Sequence, residues 1–81
     1  MNKKRMKYIG QEIRRERRSQ DKTLSQVALA GGLAENTISA YEKGKIQIPI
    51  DNLDNICNYL NIYYIDLLTR VQERLNEDAG I

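Results

Sequence analysis

The sequence predicts an all-α fold, a compact bundle of about five helices. Two observations carry this. Apolar residues recur three and four positions apart along most of the chain, the repeat of a helix with one buried face. Helix-stop residues punctuate those runs at Gly31-Gly32, Gly44 and Asn61. With 81 residues, one domain is expected, with a modest core.

The elements follow in order. Residues 1–7, with Lys3-Lys4-Arg5, read as a flexible basic arm. Tyr8 to Ser19 reads as the first helix, with Ile9 and Ile13 facing inward and Arg17 continuing their stripe. An arginine in an apolar stripe needs a carboxylate if it is buried; if exposed, its stem merely covers apolar surface. Gln20 to Lys22 is a connector. Thr23 can cap a second helix and Gln26 can reach back to its amide, a capping box. That helix stops at Gly31-Gly32. A third runs from Glu35 to Lys43, with Ile38 and Tyr41 on one face, and stops at Gly44. Pro49 holds off the next helix, which Asp51 is expected to cap. Over Asn52 to Leu60, Leu53, Ile56, Cys57 and Leu60 share a face, so Cys57 reads as a small packing residue. A last helix from Tyr63 to Asn76 is expected to present Ile65, Leu68, Val71 and Leu75.

Composition narrows the function. There is no His and only one Cys, which excludes an internal disulfide and a zinc cluster and fits a reducing cytoplasm. No metal, cofactor, membrane span or signal peptide is expected, and no constellation suited to enzyme chemistry stands out. Charge is uneven. Residues 1–50 carry 11 Lys/Arg and 5 Asp/Glu, a net +6, whereas residues 51–81 carry 2 and 6, a net −4. The basic half is the one expected to face phosphates.

Between Thr23 and Gly44 two short helices meet at a glycine, the plan of a helix-turn-helix. Val27-Ala28, Gly32-Leu33, Thr37-Ile38-Ser39 and Glu42-Lys43-Gly44 fall in one unbroken register. In that register the chain resembles helix-turn-helix proteins of the phage-repressor and Cro type, XRE-like in family, over Ile9 to Leu68. An alternative alignment matches Leu24-Ser25-Gln26 and Leu29-Ala30 to the family's usual helix-two opening but must shorten the turn by two residues; the capping box and the unbroken spacing from Arg17 to Glu42 favour the gap-free register. The resemblance implies a lambda-repressor-like DNA-binding domain over residues 8–68. It also implies a salt bridge between Arg17 and Glu42, 25 residues apart. The family's usual buried apolar residue before the cap is replaced by Lys22, and its Ser or Thr cap on the recognition helix by Ala34.

The resemblance further implies double-stranded DNA as partner, with the second helix of the unit in the major groove. Glu35, Asn36, Thr37, Ser39 and Ala40 are the candidates for base contact: Asn36 suits adenine, Glu35 cytosine N4, Ala40 a thymine methyl. Glu35 can equally serve the helix dipole. Thr23 and Leu24 at the helix-two start, then Lys43, the Gly44 amide and Lys45, are candidates for phosphate. Residues 69–81 extend the last helix and end in a tail. Leu68 at its edge, with Val71 and Leu75 within it, suits a homodimer contact, or the extension folds back on its own domain. The expected function is a sequence-specific transcriptional regulator, a dimeric repressor at a palindromic operator, with a possible regulatory protein partner. The alternative is a protein-interaction module, bridging or antitoxin-like, that does not read DNA.

Overall fold

Asn2 sets the start of the first helix: its side chain accepts the Arg5 amide at 3.0 Å. The computed structural model describes residues 2–80, and the helices there are α1 Lys3–Ser19, α2 Leu24–Gly31, α3 Glu35–Glu42, α4 Ile50–Tyr59 and α5 Tyr64–Asp78. The expected arm is therefore helix from Lys3 onward; Met1 lies outside the described residues. Long-range partners explain the extension. Arg5 Nη2 donates to Gln72 Oε1 at 2.9 Å, Lys4 pairs with Asp78 at 3.0 Å, and the Tyr8 hydroxyl donates to the Asp78 carboxylate.

These contacts belong to a regular seam. Tyr8–Asp78, Glu12–Arg74 at 3.2 Å and Glu16–Arg70 at 2.7 Å advance four residues along α1 while retreating four along α5. Such a register is that of two antiparallel helices touching once per turn. Glu12, only 4% exposed, is the buried member. The Arg74 guanidinium that answers it also lies 3.9 Å from the centre of the Tyr8 ring.

Four helices end in the same way. After α1, α2, α3 and α4, the amides of Lys22, Leu33, Lys45 and Ile62 return to the carbonyls of Arg17, Ala28, Ala40 and Cys57, each 2.9–3.0 Å away. The residue before each of those amides is left-handed: Asp21, Gly32, Gly44 and Asn61. α4 begins directly after Pro49. Asp51 is thus not its cap but an acidic residue in its first turn, where the helix dipole favours it.

α1 packs against α3 and α5, α2 against α3 and α4, and α4 against α5. Ile13, Val27, Ile38, Ile56, Leu60 and Leu67 fill the centre with no more than 1% of their surface exposed. Cys57 joins them, and burial pushes its thiol up to about 12. The inward face of α5 differs from the expected one. Leu67 and Val71 are buried, Tyr64, Leu68 and Leu75 pack beside them, and Ile65 is 60% exposed. Tyr64, Leu67, Leu68, Val71 and Leu75 share one side of a 3.6-residue helix, and Ile65 lies about 100° off it.

At Gly10 α1 crosses the end of α3 so closely that a Cβ would fall 2.2 Å from the Tyr41 carbonyl oxygen. Gly10→Ala is therefore expected to destabilise the fold by about 1–3 kcal/mol, although alanine is the better helix former by about 1 kcal/mol. Urea unfolding measures this, and an unchanged or raised midpoint would contradict the close crossing.

Candidate nucleic-acid interface

The α2–α3 unit is built from local chemistry. The Gln26 amide donates to Thr23 Oγ1 at 3.0 Å, and the Thr23 amide donates to Gln26 Oε1 at 2.8 Å. This closes the capping box and fixes where α2 starts. The Thr23 amide is thereby committed. The Leu24 amide, in the first turn, has no carbonyl four residues back within the helix. The Leu24 side chain is half-buried against the core. Lys22, in the family's apolar position, lays its ammonium 5.3 Å from the centre of the Tyr59 ring.

α3 turns Ile38 and Tyr41 inward, 0% and 4% exposed. The Tyr41 hydroxyl accepts from Asn52 Nδ2 of α4 at 3.1 Å. On the other side Glu35 and Asn36 are exposed at the helix start, with Thr37, Ser39 and Ala40 half-buried behind them. Ala34 offers no side-chain cap, and Glu35 supplies the acidic group of the first turn. Lys43 and Lys45 are exposed at the far end. Between them, the Gly44 amide donates to the Tyr41 carbonyl at 3.0 Å. That bond helps to close the helix, with the two lysine side chains exposed on either side of the glycine.

Arg17 and Glu42 hold this unit to α1. Nε donates to Oε2 at 2.7 Å and Nη2 to Oε1 at 3.0 Å, a two-pronged pair with 9% and 8% of each residue exposed. Glu42 drives the Arg17 pKa further upward, chiefly through this hydrogen bonding. The third nitrogen, Nη1, donates to the Lys22 carbonyl at 2.9 Å. One guanidinium therefore joins α1, the approach to α2 and the end of α3.

A helix-turn-helix family model matches residues 13–68. The chain belongs to the helix-turn-helix family, of the phage-repressor and Cro type. It is 32% identical over 60 residues to the antitoxin PezA of Streptococcus pneumoniae serotype 4, a match covering 74% of this chain and 38% of PezA. The chain thus spans well under half the length of that curated relative. Its fold is that of the clp gene regulator ClgR from Corynebacterium glutamicum, with a TM-score of 0.85 at 21% identity, covering 94% of this chain and 81% of that one. The restriction-modification controller protein C.AhdI from Aeromonas hydrophila has the same fold, with a TM-score of 0.73 at 21% identity, covering 76% of this chain and 94% of that one.

Within this helix-turn-helix protein the expected dimer residues are placed differently from the recognition residues. Val71 is 1% exposed within its own core, so its proposed contact with a second copy is corrected. α5 folds back on α1 and uses that side chain internally. Leu68 and Leu75 are half-buried in the same packing. Among the described residues no His, Cys, Asp and Glu cluster could hold a metal ion, and no helix is long and apolar enough to cross a membrane.

Removing one partner of a buried ion pair leaves the other charge uncompensated. Glu42→Ala is expected to cost about 3–5 kcal/mol in urea unfolding. A loss below about 1 kcal/mol would place the pair with exposed ones.

Proposed function

We propose that this protein is a sequence-specific double-stranded DNA-binding regulator of transcription, a cytoplasmic repressor acting as a homodimer at a palindromic operator. The observation that carries the reading is the face of the α2–α3 unit. Asn36 and Glu35 are exposed at the start of α3, the Leu24 amide lies in the capped first turn of α2, and Lys43 and Lys45 are exposed just past the end of α3. Hydrogen-bonding side chains for base edges are thus flanked by groups suited to phosphate. Thr37, Ser39 and Ala40 complete the base-reading row, and Thr23 orients the phosphate-facing amide. A two-fold partner matches a palindrome, and the half-buried Leu68 and Leu75 leave some apolar surface for one. Occupying a promoter would exclude polymerase. No catalytic step is part of this reading.

The likeness to PezA, an antitoxin, favours a second reading in which this fold grips a protein partner instead of reading DNA.

Selection from a random duplex library separates the two. A palindromic winner bound at least about a thousandfold more tightly than scrambled DNA supports the first reading, and sequence-blind or absent binding overturns it. On the selected site, Asn36→Ala is expected to cost about 1–3 kcal/mol and relax preference at one base. Equal losses on every sequence would reassign Asn36 to the backbone. Lys45→Ala is expected to weaken all duplexes alike and lower the slope of log affinity against log salt by roughly 1; an unchanged slope would remove Lys45 from the phosphate contacts.

A further inference from the structure

The start of α1 and the connector between α3 and α4 enclose a cleft of about 100 Å³. It is lined by Arg5, Met6 and Ile9 of α1 and by Ile46, Gln47 and Ile48 of the connector. Four of these six residues are apolar and none is a carboxylate. Ile46 is exposed at this cleft, and Ile50, two residues past Ile48, is exposed as well. Arg5 donates to Gln72 and is thereby engaged. The charged residues next in sequence to the lining are Lys4, Lys7 and Lys45. Lys4 is paired with Asp78. Among the described residues Lys7 and Lys45 form no ion pair. They belong to one edge of the molecule, because a Cβ on Gly44 would fall 2.6 Å from the Lys7 Cα.

We propose that this cleft docks an acidic segment of a partner protein, and that the segment and the duplex exclude one another. One aliphatic side chain of the segment fills the cleft, and its flanking carboxylates meet Lys7 and Lys45. Size and charge select that occupant. A cavity of about 150 Å³ accepts benzene, so this one takes a smaller group, such as an aliphatic side chain. It is well below the roughly 300–1,000 Å³ of small-molecule sites. Unpaired ammonium groups beside an apolar contact favour carboxylates and repel a basic segment. The exposed Gln47 adds an amide that can bond the segment's backbone. A second copy of this chain carries the same chemistry at the exposed Ile65 and Asp66. Seating that pair here would join unlike surfaces, a head-to-tail contact that does not close into a two-fold dimer. Exclusion of the duplex follows from the phosphate contact proposed for Lys45, and only this part rests on the DNA-binding reading.

The probe is a short synthetic peptide with one leucine among glutamates and serines. One control peptide replaces the leucine by serine, and another replaces the glutamates by glutamine. Each is titrated into the isotope-labelled full chain and followed by amide chemical shifts. The leucine peptide is expected to shift residues 5–9 and 45–48 saturably. It is expected to bind at least about tenfold more tightly than the serine peptide, and to weaken with salt as the glutamine peptide does not. Ile46→Ser is expected to remove the advantage of leucine, and Leu29→Ser, which changes an exposed apolar residue of α2, to keep it. Thermal unfolding checks that both variants fold. Equal binding of the leucine and serine peptides, shifts confined to other residues, no salt dependence, or equal binding by the two variants overturns the docking site. A dimer of the chain alone that Ile46→Ser disperses in sedimentation also overturns it, by giving the cleft to a second copy. Fluorescence anisotropy of the library-selected duplex tests the exclusion. The leucine peptide is expected to raise the apparent Kd and the serine peptide, of equal charge, to leave it; equal effects overturn the exclusion. A wild type that binds no duplex overturns the regulator reading and the exclusion with it, and the peptide shifts then decide the docking site alone.

Discussion

A single guanidinium fixes the geometry of the reading head. Arg17 uses three nitrogens on three parts of the chain: two on Glu42 at the end of α3 and one on the Lys22 carbonyl ahead of α2. Burying two charges is favourable only when geometry and hydrogen bonding are nearly complete. Here they are, and no buried side-chain nitrogen or oxygen among the described residues lacks a partner. The pair acts with a steric constraint beside it. Gly10 lets α1 touch the last carbonyls of α3, and Gly44, left-handed, would collide with the Lys7 backbone if it carried a Cβ. The end of α3 is thus pinned twice against α1. Its start, with Glu35 and Asn36, stands outward.

Much of this was legible in the sequence because it is local. A threonine three residues before a glutamine, glycines after apolar runs and an asparagine at position 61 set helix ends through their own backbone chemistry, and all act as expected. The Arg17–Glu42 pair was legible because the family resemblance implies it, and an arginine in an apolar stripe needs a carboxylate if it is buried. The outward row on α3 followed from the burial of Ile38 and Tyr41.

What escaped the sequence is non-local. The order of residues 3–7 depends on Gln72 and Asp78, far along the chain. The need for glycine at position 10 comes from the backbone of α3, not from any turn. In α5, Ile65 and Leu67 are equally apolar, and only the position of α1 and α4 decides which one is covered. Asp21 read as an ordinary connector residue because aspartate adopts the left-handed conformation less often than glycine.

The seam between α1 and α5 has a mechanical meaning. Its rungs run antiparallel, so the two ends of the described chain lie side by side, joined by Lys4, Tyr8 and Asp78. Tension applied at both ends would load the rungs in sequence, outermost first, in the manner of a zipper. The Arg17 clamp lies beyond the last rung, at Glu16–Arg70. Peeling of α5 therefore runs from the Asp78 end toward Arg70 and reaches the level of the Arg17 clamp last.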